Sequence, residues 1–236
     1  MPDPATRWIY RHRVATRLWH WVNALAIITL LGSGMMISNA HPRLYWGKYG
    51  ANFDRAWWEP PHFPGWATIP TSYDLAMGRR WHLFFALVLA FGLLAYMIAS
   101  LVNRHFGRDL RVRGRELSPK HLWEDFKAHL NFRFHSEEAP GDYNIFQKLS
   151  YVLVIFGLIP LAILTGLALS PGMDAAWPWM LQLLGGRQSA RSIHFLAASG
   201  IALFTVAHLV LVILAGAAGE MRSIVTGWWR VPEAHK

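Results

Sequence analysis

Four stretches of this chain stay apolar for longer than the buried helices of a soluble domain normally do. They run over about Leu18–Ser38, Trp81–Val102, Phe146–Leu169 and Ser192–Ala218. Each reaches the roughly 20 residues an α-helix needs to cross the hydrocarbon core of a bilayer. In hydrocarbon every backbone polar group must be satisfied by protein, so only helices and closed barrels span membranes. Uninterrupted apolar blocks of this length predict helices. The expected fold is all-α, an integral membrane four-helix bundle forming one membrane domain over residues 1–236.

The charges support this reading and orient it. The net charge is +9, which on a soluble protein would suggest nucleic acid. Here the cations gather in the segments between the spans. Arg7, Arg11, Arg13 and Arg17 precede the first span. The segment 103–145 and its border carry Arg104, Arg108, Arg111, Arg113, Arg115, Lys120, Lys127, Arg133 and Lys148, and the tail adds Arg222, Arg230 and Lys236. With four spans, these three segments lie on one side. The other side holds Arg43, Lys48, Arg55, Arg79 and Arg80 in one loop, and Arg187 and Arg191 in the other. The positive-inside rule then places both termini in the cytoplasm. No nucleic-acid partner is needed to explain the charge; membrane lipid is. The first span is too long for the apolar region of a signal peptide and is read as a retained helix.

The connecting segments are unequal. The outer loop 39–80 contains Pro42, Pro60, Pro61, Pro64 and Pro70 with Trp46, Trp57, Trp58 and Trp66. It reads as a compact irregular cap at the headgroup level, where aromatic rings are favoured, and as a surface on which an extramembrane partner could dock. In the cytoplasmic loop 103–145, Ser118-Pro119 followed by His121–Phe126 reads as a helix start. The apolar stretch Met180–Leu184 is too short to span and is expected along the outer interface. Pro160 should kink the third span. That span has no histidine, and its expected work is packing, with Gly157 and Gly166 allowing close contact.

The chain has no cysteine. This excludes disulfides, thiolate-bound iron–sulfur clusters and covalent haem attachment through a Cys-x-x-Cys-His motif. It does have twelve histidines, eight of them in loops or tails. The other four, His20, His82, His194 and His208, fall at the spans. His194 and His208 lie fourteen residues apart. On a helix this is about 21 Å of rise and a return to nearly the same face. Ionisable residues inside spans mark functional sites. With both termini inside, His20 lies near the inner face and His82 near the outer face. The fourth span runs inward, which places His194 near the outer face and His208 near the inner face. The depths agree in two pairs, His20 with His208 and His82 with His194.

Two imidazoles with no further protein ligand suit haem, which takes one axial ligand on each side of its iron. A zinc ion would want four ligands, or three and water. The expected cofactors are therefore two haem b groups, with the four histidines as ligands to haem iron. Haem propionates want cationic partners, and Arg17, Arg79, Arg80 and Arg191 each lie two or three residues before a candidate ligand. Snorkelling at helix ends explains any one of them equally well. Gly32, Gly34, Gly92 and Gly200 could make room for a flat porphyrin.

The motifs that carry these histidines resemble those of the bacterial cytochrome b561 and nickel-hydrogenase/formate-dehydrogenase cytochrome b superfamily. They are Arg17-Leu18-Trp19-His20-Trp21-Val22-Asn23, Gly78-Arg79-Arg80-Trp81-His82, and Arg191-Ser192-Ile193-His194 with His208. The resemblance covers most of the four-helix core and implies the same two pairings. The segments Gln147–Tyr151, Leu158–Leu161, Thr165-Gly166 and Gly185–Arg191 are similar to those of cytochrome b subunits that accompany molybdopterin oxidoreductases.

The resemblance implies a di-haem electron-transfer subunit in the bacterial inner membrane. A periplasmic oxidoreductase partner, a molybdopterin enzyme in first place and a hydrogenase or formate dehydrogenase otherwise, would exchange electrons at the outer haem. Quinone would react near the inner one. Arg17, Trp21, Gln147, Lys148 and Tyr151 are the candidate quinone contacts, although interfacial anchoring explains each of them as well. The alternatives are a stand-alone quinone oxidoreductase such as a superoxide oxidase, a metal transporter, and a haemless membrane anchor.

Overall fold

A computed structural model describes residues 8–51, 53–102, 118, 123, 127 and 145–230. Most of the expected cytoplasmic loop, including the helix start after Ser118, lies outside the described residues. The rest is dominated by four long helices, Val14–Ala40, Leu75–Val102, Ile145–Leu169 and Arg187–Leu214, each long and apolar enough to cross a membrane. None contains an acidic residue. Large apolar side chains such as Leu25, Ile28, Leu83, Leu87, Leu94, Leu203, Val206 and Ile213 are exposed along them. In water this would be a costly apolar surface; in lipid it is the expected exterior. The protein is a mostly helical, multi-pass membrane protein.

The helices begin earlier than the apolar pattern suggests, because loop residues satisfy their first turns. Asp74 accepts a hydrogen bond from the Met77 amide at 2.9 Å, which caps the second helix six residues before Trp81. At the fourth helix, the amides of Gln188 and Ser189 both donate to the Gly47 carbonyl at 3.1 Å. The fourth span also ends sooner than Ala218. The helix stops at Leu214, Gly216 adopts φ +101°, and a separate helix follows over Ala217–Thr226. A left-handed residue cannot continue a right-handed helix, and glycine takes that conformation at little cost.

At Pro160 the third span departs from regular α-helix. Proline lacks the amide that would bond four residues back, and its ring crowds that carbonyl. The turn before it, Leu153–Leu158, is widened to a π-helix, and regular α-helix resumes over Ile159–Leu169.

The packing divides into two compact units, taken over their described residues. One comprises Met1–Trp21, Gly92–Leu153 and Phe204–Lys236; the other comprises Val22–Phe91 and Val154–Leu203. In the first, the strands Trp8–Tyr10 and Trp228–Arg230 pair antiparallel, with Ile9 opposite Trp229. Three-residue strands carry too little alternation to be read from sequence. Arg222 lies over the Trp8 ring at 4.2 Å. Arg11 pairs with Glu220 at 3.0 Å, and their side chains are only 7% and 18% exposed. Breaking a buried ion pair strands one charge, at about 3–5 kcal/mol. Glu220→Ala is therefore expected to lower the melting temperature in detergent markedly, whereas Glu59→Ala, which loses a surface pair with Arg43, should leave it nearly unchanged. Equal melting shifts for the two variants would refute this.

In the second unit the Pro/Trp loop is compact and irregular. Asn39 donates to the Phe63 carbonyl and accepts from the Phe63 amide, both at 2.8 Å. Leu44 and Trp58 form an isolated antiparallel bridge. The loop is tied to the fourth helix through Ser192, which accepts from Trp57 Nε1 at 3.0 Å and donates to the Tyr45 carbonyl at 2.7 Å. Short helices at Pro171–Ala176 and Trp179–Leu183 precede that helix.

Candidate functional site

Each unit brings together one pair of the four span histidines. In the second unit the His82 and His194 rings face each other with centroids 6.1 Å apart and planes at 66°. In the first, His20 and His208 have centroids 6.3 Å apart and planes at 58°. A metal held between two imidazole nitrogens at about 2 Å each would set the ring centroids roughly 6–6.5 Å apart. Both pairs have that separation. Among the described residues, no three or more His, Cys, Asp or Glu side chains converge, as an ion held by protein ligands alone would require. The donor sets thus fit a bis-imidazole haem better than a bare metal ion.

The surroundings of the His82–His194 pair have a repeated form. Ser33 Oγ lies 3.0 Å from His82 Nδ1, and Thr165 Oγ1 lies 2.9 Å from His194 Nδ1. The residue after each hydroxyl is a glycine. A Cβ on Gly34 would lie 3.5 Å from His82 Cε1, and one on Gly166 would lie 3.3 Å from His194 Cε1. The third helix therefore does more than pack, because it supplies Thr165 and Gly166 to one histidine. Of the other glycines named for porphyrin room, Gly32 abuts Ile69, Gly92 abuts Trp19 and Gly200 abuts Leu158.

The His20–His208 pair is enclosed by aromatic rings. Trp21 sits edge-on to His20 at 5.2 Å, and Phe204 stacks on His208 at 5.9 Å and 14°. Tyr151 meets Phe204 edge-on at 6.4 Å. Trp19 stacks on Tyr96 at 5.3 Å, which explains the close approach at Gly92. Arg17, Trp21, Gln147, Lys148 and Tyr151 all belong to this same unit.

The arginines sit at the start of their helices, and none of the long helices has a basic residue in its last turn. The helix dipole favours cations at the opposite end, so the dipole does not account for their position. Arg17 donates to the Val225 carbonyl. Arg191 donates to the carbonyls of His41 and Arg43. Arg79 points at His41 Nε2 from 3.3 Å. Burial, with the Arg191 and Arg79 guanidiniums beside it, pushes the His41 imidazole below its ordinary pKa; a neutral ring can accept from Arg79. Arg80, with Met77, Trp81 and Phe84, lines an apolar surface groove.

Comparison with known proteins identifies the family. A protein of Rhodobacter capsulatus named as a probable Ni/Fe-hydrogenase B-type cytochrome subunit is 25% identical over 85% of this chain and 72% of its own. One of the same name from Azotobacter vinelandii is 24% identical over 94% of this chain and 88% of its own. An Azospira oryzae protein that carries the name of a protein-methionine-sulfoxide reductase subunit, YedZ1, is 24% identical over 84% of this chain and 87% of its own. No solved structure matches. The model of the family described as prokaryotic cytochrome b561 matches residues 11–227, a range that takes in the four long helices and both histidine pairs, and the chain belongs to that family of membrane b-type cytochromes.

Proposed function

We propose that this protein is a di-haem b electron-transfer subunit of the bacterial inner membrane, linking a periplasmic oxidoreductase to the quinone pool. Electron transfer and b-type haem come with the family. The observation that carries the finer reading is the presence of two imidazole pairs, at 6.1 and 6.3 Å, each fitting one haem. When bound, haem b supplies reversible one-electron iron chemistry tuned by its ligands and surroundings. His82 with His194, and His20 with His208, hold the two irons. Arg17, Arg79, Arg80 and Arg191 neutralise the propionates with N–H groups not spent on the carbonyls described above. The cation distribution orients the chain with both termini in the cytoplasm. His82 and His194 then face the periplasmic partner, and His20 and His208 the cytoplasmic side.

Quinone is placed beside the His20–His208 pair. Arg17, Gln147, Lys148 and Tyr151 offer hydrogen bonds to its oxygens, and Trp21 offers a ring for stacking. The names of the relatives support a catalytic partner, with a hydrogenase and a methionine-sulfoxide reductase as the two models. The segments at Gln147–Tyr151 and Gly185–Arg191 favour a molybdopterin enzyme.

The test is a reduced-minus-oxidised spectrum of the purified full chain with haem quantification, then metal analysis of the complex isolated from its native membrane. Two haems per chain and a quinone-oxidisable spectrum are expected, with molybdenum in the complex; nickel would identify a hydrogenase instead. A preparation without a Soret band would overturn the reading in favour of a haemless anchor or a metal transporter. Reduction by superoxide with no partner bound would favour the stand-alone oxidase.

A further inference from the structure

Ser33 and Thr165 are fully buried hydroxyls on helices that face lipid elsewhere. A hydroxyl has one hydrogen to donate and lone pairs to accept with. Thr165 turns its hydrogen back along its own helix, to the Leu161 carbonyl at 2.7 Å, with the Ala162 carbonyl at 3.2 Å. Ser33 does the same, to the Thr29 carbonyl at 2.6 Å, with the Leu30 carbonyl at 3.3 Å. Each oxygen therefore meets its histidine as an acceptor. Both contacts require Nδ1 to carry the proton, so a neutral imidazole presents the Nε2 lone pair on its other side.

We infer that Ser33 and Thr165 are positioning residues that fix the Nδ1–H tautomer of His82 and His194 and raise their basicity as metal ligands. The inference rests on the haem ligation proposed above. An acceptor behind a ligating imidazole both orients the ring and strengthens its donation to the metal. Stronger donation stabilises the oxidised iron and lowers its reduction potential. The first unit lacks this device at His20, whose buried Nδ1 has no hydrogen-bond partner among the described residues. The hydroxyls thus separate the two haems in potential, with the His82–His194 haem held lower than it would be without them.

The experiment is a spectroscopic redox titration with haem quantification on the purified full chain. Thr165→Val keeps the shape and removes the acceptor; Ser33→Ala removes the other. Each is expected to raise the midpoint potential of one haem and leave the second haem where it was, with a larger rise in the double variant. The shifted haem should be the one missing from His82→Ala. Thr165→Ser retains the hydroxyl and should retain the parent potential. Unchanged potentials in both Thr165→Val and Ser33→Ala would overturn the inference, as would an equal shift in Thr165→Ser and Thr165→Val. If Thr165→Val loses a haem outright, Thr165→Ser decides: retention at the parent potential supports the role, and equal loss removes it. Failure of the ligation itself is read separately, as both haems persisting in His82→Ala.

Discussion

His208→Ala is expected to lose one haem of two and to abolish electron transfer to quinone while the second haem stays bound. His208 lies opposite His20 at a centroid distance of 6.3 Å. Phe204, one turn earlier on the same helix, stacks on the His208 ring, and Tyr151 braces Phe204. Alanine leaves this aromatic support in place and removes only the donor. His20 would then offer one ligand where a low-spin b-type centre has two. Haem should leave that site. The His82–His194 pair belongs to the other unit and keeps its own hydroxyl and glycine neighbours. Its potential should be unaltered. A redox titration should therefore pass from two steps to one, and His82→Ala should remove the complementary step. Loss of both haems in His208→Ala, or loss of the same step in both variants, would sink the pairing.

The sequence revealed the facing of these rings for a specific reason. Spans alternate in direction, so the position of a histidine along its span gives its depth, and only two equal-depth pairs are available among four residues. Length and apolarity likewise expose the helices without knowledge of the fold. What stayed hidden depends on contacts between distant segments. Arg11 and Glu220 pair across 209 residues, and neither has a local pattern to announce it. The early starts of the second and fourth helices depend on Asp74 and on the Gly47 carbonyl, both in the outer loop 39–80. The arginines before His20, His82 and His194 are visible, but the spending of Arg17 and Arg191 on the backbone carbonyls of Val225, His41 and Arg43 is not. Ser33 and Thr165 looked like ordinary small polar residues, which often back-bond within their own helix. Only the approach of a second helix turns that back-bonded oxygen into an acceptor for histidine.

Gly166→Leu is expected to eliminate the haem held by His82 and His194 while sparing the other. A Cβ at position 166 would already lie 3.3 Å from His194 Cε1 and 3.7 Å from Nδ1. Leucine adds three more carbons on that side, and the ring has to rotate or the helices have to part. Rotation breaks the 2.9 Å contact between Nδ1 and Thr165 Oγ1 and turns Nε2 away from His82. Overpacking of this kind costs about 1–3 kcal/mol even in an adaptable core, and here the strain falls on a ligand whose direction is what matters. The effect should be graded. Gly166→Ala, with its tight 3.3 Å contact, should shift the spectrum and weaken haem retention. Gly34→Ala, whose Cβ would sit in ordinary contact at 3.5 Å from His82 Cε1, should be milder. Gly172→Leu has nothing within 4 Å of its Cβ and serves as the neutral control. Haem content measured across this series distinguishes a steric cradle from a general sensitivity of the helices to larger side chains. If Gly166→Leu retains both haems with unaltered spectra, Gly166 does not shape the site. If Gly172→Leu loses haem equally, the loss reflects the fold rather than the histidine.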